Sequence, residues 1–155
     1  MSKPEFVYVI YIGAPKQKVW TAITTGEHTK TFWKRFVKSD WKVGSRVEFM
    51  YPDDQTKLSH DGEVLEIDPP NRLVMTFDLK PEGINEPPSR VTYELSQEDG
   101  GATKLMVTHE GFPADSEVLK GISSGWPRIL SGLKTYLERG EPMLLSVERL
   151  KQATK

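Results

Sequence analysis

Histidine is the side chain best suited to proton transfer near neutral pH, and this chain carries three, His28, His60 and His109. His109 shares the inward face of a strand-like run with Leu105 and Val107, where its imidazole could serve as a general base or hold the polar end of a ligand. The alternative is a core histidine bonded to a backbone carbonyl or to a carboxylate such as Glu66. No serine or cysteine nucleophile stands beside it by motif, so His109 is the single catalytic candidate and no catalytic set is assigned. His28 and His60 fall at helix and strand edges and are expected to be exposed.

The remaining chemistry-bearing groups point away from metals and nucleotides. The chain has no cysteine, no His-Glu-x-x-His and no acidic loop with calcium spacing. Asp53-Asp54 and Asp61-x-Glu63 read as solvated turn and strand charges. Gly100-Gly101 joins two strands instead of leading from a strand into a helix, so it cannot cradle a phosphate. No metal and no cofactor is expected.

Aromatic side chains are the richer signal. Trp33, Phe49, Phe77, Tyr93 and Trp126 would give an apolar pocket large, rigid walls, with His109 or Tyr93 fixing a ligand's polar end. Met75, Ile129, Leu130 and Leu133 extend that set. Ordinary core packing accounts for the same residues equally well.

These residues need elements to hold them. Leu119, Ile122, Trp126, Leu130, Leu133 and Leu137 recur at helical spacing and predict a long amphipathic helix of about 24 residues. Pro127 lies within it, so the helix either kinks there or begins there with Ser124 as cap, and Gly140 and Pro142 end it. At the other end, Glu5 to Ile12 is rich in β-branched and aromatic residues and reads as an inner strand partly covered on both faces. Pro15 opens a helix through Val19, Trp20 and Ile23, and Thr25-Gly26 separates it from a second helix carrying Phe32, Trp33 and Phe36. Strands follow over Arg46 to Tyr51, Asp61 to Ile67, Arg72 to Leu79, Arg90 to Ser96 and Thr103 to Glu110. Pro81 to Pro88 predicts an irregular exposed loop.

The order is strand, two helices, five strands, helix: an α+β design with a curved six-stranded antiparallel sheet around the final helix and an apolar space between them. One domain over residues 1–141 and a tail over 142–155 are expected. Leu144, Val147 and Leu150 would let the tail form a short amphipathic helix, which folds back or supports a homodimer.

Composition narrows the partners. With 21 basic and 22 acidic residues interspersed and a net charge of -1, there is no electrostatic footprint for nucleic acid. No apolar run is long enough for membrane insertion, the start lacks a secretory core, and the absence of cysteine fits the cytoplasm.

Several short motifs occur in a telling order: Ala14-Pro15-Lys16-Gln17-Lys18-Val19-Trp20, Lys42-Val43-Gly44, Gly62-Glu63-Val64-Leu65-Glu66-Ile67-Asp68-Pro69-Pro70, Thr108-His109-Glu110-Gly111-Phe112 and Gly125-Trp126-Pro127. Together they resemble the START-like (SRPBCC, Bet v-like) helix-grip superfamily. Within it they are similar to bacterial proteins related to the C-terminal domain of the activator of heat-shock protein 90 ATPase. The resemblance spans about residues 5 to 141. It implies a helix-grip domain enclosing a hydrophobic cavity, a fold used for lipids, polyketides and aromatic molecules, and it does not fix one activity.

Three functions follow as expectations. The preferred one is binding or carriage of a hydrophobic or amphipathic small molecule between sheet and helix. The others are a cyclase- or hydrolase-type enzyme with His109 as base, and a chaperone co-factor that stimulates a heat-shock protein 90 ATPase. No apparatus for ATP hydrolysis is present in the chain itself.

Overall fold

The computed structural model describes residues 5–143. Strand β1 (Glu5–Ile12) leads into helices α1 (Lys16–Thr24) and α2 (Gly26–Trp33). Six strands follow: β2 (Phe36–Ser39), β3 (Arg46–Met50), β4 (Leu58–Asp68), β5 (Arg72–Phe77), β6 (Ser89–Gln97) and β7 (Thr103–Glu110), and then helix α3 (Glu117–Arg139). The strands form one antiparallel sheet in the order β1-β7-β6-β5-β4-β3-β2. Short links make each strand pair with its neighbour in sequence, and only β1 returns to the far side beside β7.

The sheet therefore has seven strands, where the sequence predicts six. The extra one is β2, and the reason is local. Helix α2 ends at Lys34, which adopts a left-handed conformation (φ 64), so Phe36 starts a strand instead of extending the helix. Thr29 Oγ1 accepts the Val37 N–H at 3.1 Å and ties that strand back to α2.

Strand β1 is also placed differently from the expected inner position: it is an edge strand, paired with β7 alone. Its residues alternate, with Ile12 buried and Val7, Val9 and Tyr11 exposed by 47%, 42% and 52%. β-Branched and aromatic residues favour a strand whichever face they occupy, so the apolar run signalled the strand without signalling burial. The edge is partly capped by α3, whose Lys134 Nζ donates to the Tyr11 carbonyl at 2.7 Å.

Helix α3 is capped by Ser116 and not by Ser124. Ser116 Oγ accepts the Leu119 N–H at 3.0 Å, and the helix passes through Pro127 to a left-handed Gly140 whose N–H bonds the Tyr136 carbonyl. Buried side chains on both sides of the proline, Ile122 and Trp126 before it and Leu130 and Leu133 after it, hold the helix on the core while one backbone N–H is missing. Those side chains share one apolar core with Leu73, Met75, Val91, Tyr93, Leu105 and Val107 of the sheet. Gly132 lets α2 approach closely: a Cβ there would sit 3.0 Å from the Phe32 carbonyl oxygen. The tail residues Leu144, Val147 and Leu150 lie outside the described residues.

Candidate functional site

A break in strand alternation creates the site. Phe49 of β3 faces His60 of β4, but the next pair is Met50 with Leu58, so Ser59 is an extra residue in β4. This bulge leaves two consecutive side chains, Ser59 and His60, buried, with 2% and 4% of their surface exposed. Regular pleating would send them to opposite faces. Nearby, Gly62 admits the Thr76 backbone: a Cβ at that position would lie 1.9 Å from the Thr76 carbonyl oxygen.

Beside the bulge lies a cavity of about 560 Å³. Its apolar wall comes from Trp33 at the end of α2, Phe77 of β5, Leu79 and Ile84 of the following loop, and Ile122, Trp126 and Ile129 of α3. Arg35, Ser59, His60, Glu82 and Arg128 supply the polar groups. Of the residues predicted to line a cavity, Trp33, Phe77, Trp126 and Ile129 do line it. Phe49, Met75, Tyr93, His109, Leu130 and Leu133 are buried in the packing around it and do not reach its surface.

Six rings close a circuit, four of them on the cavity wall and two, Phe49 and His109, packed behind it. Trp33 lies against Phe49 at 4.9 Å between centroids, Phe49 stacks on His60 at 4.2 Å, and His60 meets Phe77 at 4.8 Å. Phe77 meets His109 edge-on at 4.8 Å, His109 meets Trp126 at 6.2 Å, and Trp126 returns to Trp33 at 5.6 Å. Apart from the parallel Phe49–His60 pair, these are the tilted and edge-on arrangements that aromatic quadrupoles favour.

His109 is fully buried, and its partners are neither a backbone carbonyl nor Glu66. Trp126 Nε1 lies 3.0 Å from its Nδ1, and Ser89 Oγ lies 2.6 Å from its Nε2. An indole N–H can only donate, so Nδ1 is the acceptor and the neutral ring carries its proton on Nε2. That proton is donated to Ser89 Oγ, whose own proton goes to the Phe77 carbonyl at 3.3 Å. Burial pushes the His109 pKa down to about 3, which keeps the ring neutral. Its lone pair is spent on Trp126, and the serine that sequence motifs could not place beside it accepts a hydrogen bond from the ring instead of donating one to it. A general base needs a free lone pair facing substrate, and this arrangement offers His109 none.

His60, expected to be exposed, is instead buried on the cavity wall. Ser59 Oγ accepts from Arg35 Nε at 2.7 Å and donates to Glu82 at 2.7 Å. Glu82 also accepts from the Tyr51 hydroxyl. Desolvation pushes the Glu82 carboxyl up, but the bonds from Tyr51 and Ser59 and the charge of Arg35 outweigh it and hold the group below its ordinary value. With its single proton committed to Glu82, Ser59 can only accept at its 3.2 Å contact with His60 Nδ1. His60 is thus protonated on Nδ1. Burial first, then the charge of Arg35, lowers its pKa to about 3. His60 Nε2 is left as the buried side-chain nitrogen or oxygen without a hydrogen-bond partner among the described residues. Such a group costs about 1–3 kcal/mol when nothing meets it.

The loop over 81–88 is tied down at its far end. Glu86 accepts from Ser116 Oγ and from the Glu117 N–H, each at 2.6 Å, so it caps α3 from outside while Ile84 forms part of the cavity wall. His28 pairs with the Tyr136 hydroxyl at 2.6 Å, away from the cavity. Among the described residues no cluster of metal-ligating side chains is found, and no helix is long and apolar enough to cross a membrane.

Sequence reasoning missed Ser59, His60, Arg35 and Glu82. The available signal was Gly62, since an isolated glycine in a strand pattern marks a bulge or a close backbone approach.

Comparison with known proteins agrees with this architecture. CalU16 from Micromonospora echinospora superposes with a TM-score of 0.70 at 25% identity, covering 97% of this chain and 81% of its own. MLL2253 from Mesorhizobium loti gives 0.73 at 26% identity, covering 88% and 98%. PFC0360w, an HSP90 activator from Plasmodium falciparum, gives 0.71 at 24% identity over 89% and 97%, which shows a shared fold. No curated protein sequence matches significantly. A family model described as activator of Hsp90 ATPase homolog 1-like protein matches residues 13–138. From β1's end to the last turn of α3, then, the chain belongs to the activator of Hsp90 ATPase homolog 1-like family.

Proposed function

We propose that this protein binds an apolar or amphipathic small molecule in the cavity between α3 and the β4–β5 end of the sheet. One observation carries the reading: about 560 Å³ of space walled by aromatic and aliphatic side chains and bordered by a few convergent polar groups, the composition of a small-molecule site. The volume suits a ligand of two or three fused rings or a short acyl chain. Ten residues, His109 and nine with apolar or aromatic side chains, were expected to form this wall, and Trp33, Phe77, Trp126 and Ile129 are the contact residues of the proposal. His109 and Tyr93 act one layer back by holding Trp126. A cytoplasmic setting belongs to the same reading and is supported by a chain without cysteine.

Stimulation of a heat-shock protein 90 ATPase is the second reading, and family membership favours it. It would use the outer surface and leave the cavity without a role. A homodimer remains compatible with either.

Native mass spectrometry of protein purified without denaturation, beside denatured controls, tests the first reading. The expected result is a stoichiometric small-molecule adduct that is released on denaturation. Protein free of adduct that also fails to take up any member of an apolar ligand panel would overturn it.

A further inference from the structure

We infer that the cavity takes amphipathic carboxylic acids, with the carboxylate held at the mouth by the Arg128 guanidinium and the apolar body laid against Trp33, Phe77 and Trp126. This rests on the small-molecule reading above and names the chemical class that the site would take.

The balance of charge on the wall decides the class. Two guanidinium groups, Arg35 and Arg128, stand against one carboxylate, Glu82. His60 adds no charge, since burial keeps its ring neutral. Arg35 and Glu82 answer each other: Arg35 Nη2 lies 3.8 Å from Glu82 Oε1, which also accepts from Ser59 and Tyr51. Arg35 Nε and Nη1 are engaged by Ser59 and the Lys34 carbonyl. Glu82 Oε2 can still accept from a ligand hydroxyl, but its charge is already offset by Arg35. Arg128 has no such counterpart. Its neighbours three and four residues away along α3 are Ser124, Gly125, Ser131 and Gly132, so its own helix offers no carboxylate within reach. None of the ion pairs among the described residues includes it. One positive charge is therefore left uncompensated on the wall. It matches a monoanion better than a phosphate monoester, which carries about −1.5 to −2.

The helix aims that charge at the cavity. Gly121, Gly125 and Arg128 follow one another on a single stripe of α3, and all three line the space. Preferred rotamers in a helix carry a long side chain back over the preceding turn, here over Gly125, where no side chain obstructs it. A Cβ at Gly121 or Gly125 would meet nothing within 4 Å, so the cavity is open above both and a flat ligand can approach the helix closely. Arg128 is exposed whereas Phe77 and Trp126 are buried, and the wall thus runs from a charged rim to an apolar interior. An amphipathic acid has the same profile: its head stays partly hydrated while its body leaves water. The planar fork of arginine fits a carboxylate through two parallel hydrogen bonds.

The test compares β-naphthoate with β-naphthamide by isothermal titration calorimetry at neutral pH, on the wild-type protein and on Arg128→Gln. The two probes share the same bicyclic body and nearly the same head, and only the first is charged. At low ionic strength the wild type is expected to bind β-naphthoate about fivefold more tightly than the amide, the upper end for a partly solvated ion pair. Added salt should shrink that preference. Arg128→Gln keeps a polar donor without the charge and is expected to lose the preference. Equal affinities in the wild type, or tighter binding of the amide, would overturn this inference and leave the cavity reading standing. A preference undiminished in Arg128→Gln would overturn it too, because another group would then be reading the charge. Failure of both probes to bind the wild type would remove the cavity reading and this inference with it. The wild-type comparison and its salt dependence need no variant, so poor folding of Arg128→Gln cannot rescue the idea.

Discussion

Two histidines of similar burial do opposite work because their neighbours differ. His109 has a donor-only indole on one nitrogen and a serine on the other, so its hydrogen-bonding capacity is full. His60 has a serine that can only accept on one nitrogen and, among the described residues, no partner on the other. The His109 arrangement makes a testable claim about Trp126. Trp126→Phe keeps a ring in the circuit but removes the sole donor to His109 Nδ1, leaving a buried acceptor bare. We expect a loss of about 1–3 kcal/mol in urea unfolding, in addition to whatever the smaller ring forfeits in packing. Long-range proton–nitrogen spectra of the wild type should show His109 protonated on Nε2. A variant of unchanged stability, or a wild-type ring protonated on Nδ1, would dismantle the network. No motif marks this pairing, since Ser89, His109 and Trp126 come from β6, β7 and α3 and meet only when the sheet closes on the helix.

At the scale of elements, α3 and the loop over 81–88 behave as one unit through Glu86. Desolvation works to raise that carboxyl, but bonds from Ser116 and the Glu117 N–H hold it below its ordinary value. It neutralises the exposed donors at the start of a helix, where negative charge is favoured. Ser116→Ala removes the cap to Leu119 and one of the two bonds to Glu86, leaving the one from the Glu117 N–H. We expect a loss of about 1–2 kcal/mol by thermal or urea unfolding, and faster amide exchange in the loop that carries Ile84. Exchange unchanged in the loop would mean that the Ser116 bond to Glu86 does not tether it. The helix itself was legible because its apolar stripe repeats over five turns, and the hairpins were legible from Asp68–Asn71 and Asp99–Gly101. Two things were not. The four-residue β2 is too short for a period to show and follows α2 without a breaker other than Lys34. The Ser59 bulge violates the alternation on which strand faces are assigned, so the polar half of the cavity was hidden while its aromatic half, Trp33, Phe77 and Trp126, stood out.

Across the whole molecule, burying two neutral imidazoles couples folding to acidity. The pKa values of His60 and His109 fall from the ordinary histidine value of 6.5 to about 3 in the folded protein, chiefly through burial. Between those limits the unfolded chain binds more protons than the folded one, so stability is full above about pH 6.5 and declines as the pH drops. Each ring contributes a slope of about 1.4 kcal/mol per pH unit, so the pair removes roughly 5 kcal/mol over two units, comparable to the lower end of domain stabilities. The depressed carboxyls of Glu82, Glu86 and Glu138 act in the same sense, but only as the pH falls into and below the carboxylate range. Onset therefore separates the two causes. Urea midpoints measured from pH 7.5 downward should begin to fall near 6.5, with the slope between about pH 6 and 5 roughly halved in His60→Phe. Midpoints flat to pH 5 would show that both rings accept protons in the folded state.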